Sequence, residues 1–198
     1  MSCRPQPEFH GLSVTVRGLP LRLVQLALAA SILLGVAREA QACPDLLNHR
    51  YTTLQGKPID LCQYANRPIL VVNTASKCGY TPQFEKLEAL HRRFRDRGLL
   101  VIGFPSNDFN QELATNREIG EFCRLTYFVE FPMVEQGAVT GIRADPFFRR
   151  LAALAGTAPQ WNFHKYLIAP DAKTVYSFRS QVEPDAAEIM GRLRPMLK

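Results

Sequence analysis

Much that marks a metal-bound or nucleic-acid-binding protein is missing from these 198 residues. The four histidines stand at none of the short intervals, among themselves or to cysteine, that a metal site requires. Basic residues cluster only in His91-Arg92-Arg93-Phe94-Arg95-Asp96-Arg97, and no interleaved aromatic pattern accompanies them, which argues against nucleic acid. The cluster ends a helix pattern, where cations suit the dipole. Internal repeats and low-complexity linkers are absent, so one domain is the simplest organisation. The net charge of +6 favours solubility and names no partner. No apolar run reaches the roughly 20 residues of a relaxed membrane span.

The longest apolar run, Leu23–Val36, has another reading. Arg4, Arg17 and Arg22 precede it and Ala40-Gln41-Ala42 follows, giving a basic start, a short apolar stretch and a small-residue cleavage site. Residues 1–42 are therefore expected to be a cleaved secretory signal peptide. That leaves a domain over 43–198, periplasmic or secreted and long enough for one sizeable core. A retained anchor and a lipidated Cys43 are the competing readings. Cys3 leaves with the leader, and Cys43, Cys62, Cys78 and Cys123 stay. An even set in an exported chain points to disulfides, but spacing does not choose among the pairings.

His49–Leu61 reads as a hairpin turning at Gln55-Gly56-Lys57. Ile69–Ala75 and Leu99–Phe104 are nearly continuous apolar runs, the mark of strands covered on both faces. Between them a helix pattern from Thr81 to Arg97 opens with Pro82, repeats Phe84, Leu87, Leu90 and Phe94, and closes at Gly98. Strand, helix and strand make a βαβ unit with a right-handed crossover. A second helix has capping-box spacing at Thr115 and Glu118 and carries Ile119, Phe122 and Cys123. A third runs from Asp145-Pro146 to Gly156. Phe163–Ile168 and Thr174–Phe178 are strands joined at Pro170-Asp171, and Pro184 opens a last helix. The expected fold is α/β, a central mixed β-sheet flanked by helices with an N-terminal β-hairpin.

Cys78 lies in Ser76-Lys77-Cys78-Gly79-Tyr80-Thr81, directly after a buried strand and before a helix. Its sulfur is thus expected over the helix's positive end, where free N–H groups, the dipole and Lys77 favour the nucleophilic thiolate. A space-filling core cysteine is the competing reading. A thioredoxin would carry a second cysteine three residues on, where Thr81 stands, so any resolving thiol must come from elsewhere.

Asn73-Thr74-Ala75-Ser76-Lys77-Cys78-Gly79-Tyr80-Thr81-Pro82-Gln83-Phe84 resembles the peroxidatic segment of the glutathione peroxidases in their cysteine form. Gly103-Phe104-Pro105-Ser106-Asn107-Asp108-Phe109 followed by Gln111-Glu112 is similar to that family's second motif. Phe131-Pro132-Met133 and Trp161-Asn162-Phe163-His164-Lys165-Tyr166-Leu167 resemble the third and fourth. The resemblance runs from about Leu46 to Leu197. It implies a thioredoxin-like fold and a thiol peroxidase acting on hydrogen peroxide and organic hydroperoxides, with no prosthetic cofactor.

The same resemblance implies a catalytic set of Cys78, Gln111, Trp161 and Asn162. The chemistry suits these types: the indole N–H only donates, and both amides can donate to an anionic sulfur or a departing oxygen. The loop before Gln111 is one residue shorter than usual and Leu113 replaces the usual proline, which bears on where that amide lies. Cys123, in Glu121-Phe122-Cys123-Arg124-Leu125-Thr126-Tyr127, matches the resolving cysteine of the thioredoxin-dependent branch. A Cys78–Cys123 disulfide, formed after the second helix partly unwinds and reduced by a thioredoxin-like protein, is then expected. Glutathione as donor and a sensor or thiol-relay role are the rival readings. Cys43 and Cys62 lie outside the motifs and are expected to form a structural disulfide. The short connection from Gly156 to Trp161 matches the small, monomeric or weakly dimeric members. His164 is expected on the surface of a strand.

Overall fold

In the computed structural model, which describes residues 42–198, β1 (Arg50–Thr52) and β2 (Pro58–Asp60) form an antiparallel hairpin with Gly56 at φ 72° in its turn. The expected signal peptide lies outside the described residues apart from Ala42. Next come β3 (Ile69–Thr74), α1 (Gln83–Phe94) and β4 (Leu100–Pro105). Then follow α2 (Asn116–Thr126), α3 (Pro146–Ala155), β5 (Lys165–Ile168), β6 (Val175–Phe178) and α4 (Ala187–Leu193).

Every residue of β3 and β4 is buried, as continuous apolar runs require. The two pair in parallel from Ile69↔Leu100 to Thr74↔Pro105, with α1 as the crossover. β5 runs antiparallel along the other side of β3 and β6 antiparallel to β5, giving the order β4-β3-β5-β6. This is the expected mixed sheet, a thioredoxin-like α/β fold.

Alternation along the strands divides the core in two. Leu70, Val72, Val101 and Leu167 meet Phe84, Leu87, Ile119, Cys123 and Ile189 from α1, α2 and α4. Ile69, Val71, Ile102 and Tyr166 meet Phe147, Phe148 and Leu151 of α3, with Leu46, Leu47 and Leu61 from the N-terminal segment. Cys43 and Cys62 are joined by a disulfide, their Cα atoms 5.3 Å apart, and Cys43 packs at the margin of that second cluster.

The helix ends follow their local chemistry. Thr115 and Glu118 complete a capping box on α2, and the Asp145 side chain accepts from Phe147 N–H at the start of α3. Gly98 and Gly156 close the turns after α1 and α3 at φ 99° and 76°. α1 starts at Gln83, two residues after the sequence pattern, because Thr81 N–H bonds to Cys78 O and Gln83 N–H to Tyr80 O in successive turns. α4 begins three residues after Pro184, behind a turn in which Ala186 N–H bonds to Glu183 O. Phe131-Pro132-Met133 lies along β4. Gly103 donates to Pro132 O at 2.9 Å, and a Cβ on Gly103 would collide with the Met133 sulfur.

Candidate active site

Three loops meet at one end of the sheet because of how its strands run. β3 and β4 are parallel, so the segments after Thr74 and Pro105 leave from the same edge. β5 is antiparallel to β3, with Lys165 opposite Val72, so the residues just before β5 arrive there too. This junction holds Cys78 on the first loop, Gln111 on the second, and Trp161 and Asn162 on the third.

Cys78 is a free thiol, 7 % exposed. Its N–H donates to Thr81 Oγ1 at 3.0 Å, and that hydroxyl donates onward to Ala75 O at 3.0 Å. Thr81, in the place of a second cysteine, thus ties the loop into a closed turn. Tyr80 N–H points at the Cys78 sulfur, 3.4 Å away. It is a backbone donor at the approach to a helix, one that the helix ladder does not use.

Asn162 is fully buried, and its Nδ2 donates to Gln111 Oε1 at 2.9 Å. The shorter loop therefore still brings the Gln111 amide to Asn162. Asn110, the residue before it, makes the turn at φ 58°, a conformation asparagine tolerates. The Gln111 NH2 and the Trp161 indole N–H make no hydrogen bond to the described residues, which leaves both as donors. Trp161 is 41 % exposed and leans on Phe109, ring centres 5.3 Å apart. None of the three donates to the Cys78 sulfur in this state; such bonds commonly close only in the reactive complex.

Asn73 organises the third loop. Its Nδ2 donates to Trp161 O at 3.1 Å, and its backbone oxygen accepts from Phe163 N–H at 2.7 Å. Phe163 is held at φ 62° with its ring buried against Phe84. A bulky residue in that region is strained, and such strain gathers where a site over-determines the backbone. The role of Asn73 was not read from the sequence, although a polar residue inside an apolar strand run was its signal.

Glu112 is also buried. Its Oε1 accepts from Ser76 N–H at 2.9 Å and from Leu113 N–H at 2.8 Å. Burial raises its pKa against the opposing pull of those donors and of Lys77.

Cys123 is the second free thiol, on α2 and in the same core cluster as Cys78. Burial, helped by the Glu112 charge, pushes its thiol up to about 12. It also lines a cleft of about 310 Å³ with Leu54, Gly120, Arg124 and Met133. The structure does not join it to Cys78.

His164 corrects the expectation of a surface residue. It is 2 % exposed, with Nε2 2.8 Å from Ser177 Oγ, because β6 and the loop after it cover that side of β5. With Tyr80, Trp161 and Arg179 it lines a cleft of about 370 Å³ beside the junction.

Comparison with known proteins gives a consistent result. The family model for glutathione peroxidase matches residues 46–152. The glutathione peroxidase of Lactococcus lactis subsp. cremoris (strain MG1363) is 43 % identical over 68 % of this chain and 89 % of its own. The glutathione peroxidase-like peroxiredoxin GPX5 of Chlamydomonas reinhardtii is 38 % identical over 72 % of this chain and 91 % of its own. The apo crystal structure of Trgpx superposes with a TM-score of 0.59 at 29 % identity, covering 77 % of this chain and 95 % of that one.

Proposed function

Since the chain belongs to the glutathione peroxidase family and is thus a peroxide-reducing oxidoreductase using a thiol co-substrate, we propose that it works through two cysteines with a thioredoxin-like donor. The Cys78 thiolate attacks the outer oxygen of a hydroperoxide. The O–O bond breaks, sulfur becomes a sulfenic acid, and the alkoxide or hydroxide leaves with a proton as alcohol or water. Trp161, Asn162 and Gln111 supply donors for the sulfur and the departing oxygen. Cys123, losing its proton, attacks the sulfenic sulfur and expels its oxygen as water, giving a Cys78–Cys123 disulfide. A dithiol donor then reduces that disulfide and is itself oxidised.

The observation carrying this reading is a second free thiol among the described residues, on α2, in the same core cluster as Cys78 and bordering a surface cleft. The relative named a peroxiredoxin is consistent with such a donor. Cys123 is buried in α2, and the proposed route has that helix partly unwind to bring the two Cα atoms within the roughly 4.4–6.8 Å that a disulfide tolerates. We place the protein outside the cytoplasm, supported by the leader pattern and by a disulfide of the kind oxidising compartments keep. The test is steady-state peroxide consumption with thioredoxin or with glutathione as donor. Thioredoxin should support the faster turnover, and Cys123→Ser should oxidise once and then stall with it. Undiminished thioredoxin turnover in that variant overturns the two-cysteine route.

A further inference from the structure

The Cys78 loop and the Gln111 loop are not joined by a β-ladder. Pairing between β3 and β4 ends with Ser106 N–H on Thr74 O, and beyond it both segments are irregular. Buried backbone groups there still need partners. One is supplied by the main chain, Lys77 N–H to Gln111 O at 2.9 Å. The other is supplied by a side chain, Ser76 N–H to Glu112 Oε1 at 2.9 Å. The same oxygen takes Leu113 N–H at 2.8 Å, and Glu112's own N–H is fixed to Asn107 Oδ1 at 3.1 Å. Ser76 stands two residues before Cys78, and Glu112 directly follows Gln111. Beside that one main-chain bond, a single carboxylate therefore sets the spacing between the loop of the attacking sulfur and the loop of the amide meant to assist it.

We infer that Glu112 is a positioning residue for peroxide reduction, a brace holding the Cys78 loop in register with the Gln111 loop. It touches no reacting atom. A charged group is costly in a site only 7 % exposed, and an apolar residue of equal volume would leave two amides unpaired. The inference rests on the peroxidase reading, so its test separates alignment from thiol reactivity.

Two rates are measured on the full chain: oxidation of Cys78 by hydrogen peroxide in rapid mixing, and alkylation of Cys78 by iodoacetamide. Peroxide reduction needs the loops aligned, whereas alkylation needs only an accessible thiolate. Glu112→Ala should slow the peroxide reaction by about tenfold or more and change alkylation by less than about threefold. Glu112→Gln, which keeps a carbonyl acceptor without the charge, should recover most of the peroxide rate. Unchanged peroxide reduction in Glu112→Ala overturns the inference. So does an equal fall in both rates, or a Gln variant as slow as Ala. If the Ala variant does not fold, Glu112→Asp, whose carboxylate falls one methylene short, should show the same selective loss, and an unaffected Asp variant overturns the brace. If the unmodified protein fails to reduce peroxide, the peroxidase reading fails. The brace is then judged by hydrogen exchange at the Ser76 and Leu113 amides, which should quicken in the Ala variant; unaltered exchange overturns it.

Discussion

His164 sits beside the junction with its ring against Ser177, and burial, with Lys165 and Arg179 nearby, holds its pKa down at about 4. In an unfolded chain the ordinary value is near 6.5. Below that pH the unfolded state binds a proton that the folded state refuses, so stability is lost as pH falls from 6.5 toward 4. Between pH 7 and pH 4.5 the unmodified protein should lose about 2 to 3 kcal/mol more unfolding free energy in denaturant titrations than His164→Gln does. Equal losses would show that His164 carries no such linkage. Its burial was not legible in the sequence. Alternation gives the face on which a strand residue lies, while what covers that face is set by a strand ten residues further on.

Signals at element scale were legible where chemistry is local. The Thr115–Glu118 pair, Asp145-Pro146, Gly98 and Gly156 each mark a helix boundary by a bond or a backbone conformation that needs no distant partner. Phe128 shows the opposite case. It follows α2 at φ 53°, where glycine is the usual residue, and its ring is 69 % exposed. Arg92 Nη2 holds its carbonyl at 3.3 Å, while Tyr127 and Val129 N–H both bond to Cys123 O. These contacts impose a conformation that the residue itself disfavours. Phe128→Gly should therefore raise stability by about 0.5–1 kcal/mol, read as a higher midpoint in thermal melts. No gain would mean that the exposed ring contributes as much as the strain costs. The four motifs that carried Gln111, Trp161 and Asn162 were legible as order along the chain, but their meeting depends on β3 being parallel to β4 and antiparallel to β5.

For the molecule as a whole, the Cys43–Cys62 link fastens the N-terminal segment across a separation of 19 residues. Closing a loop of that size stabilises by about 3 kcal/mol in the chain-entropy account. The double variant Cys43→Ser, Cys62→Ser should melt roughly 6–12 °C lower and reduce peroxide at an unchanged rate at 25 °C. A matching drop in rate would tie this segment to the active site. The link borders the core on the α3 side of the sheet, while Cys78 and Cys123 belong to the core on the α1 side. Four strands of backbone therefore stand between two pools of sulfur. Once β3 is seated, the pair proposed to cycle, Cys78 and Cys123, lies across the sheet from the Cys43–Cys62 link and has no route to exchange partners with it. Before it is seated, Cys43, Cys62, Cys78 and Cys123 share one flexible chain and any pairing among them is open. Wrong pairing is thus a hazard of birth rather than of use, and the strand that carries Asn73 toward the candidate active site is also the partition that ends it.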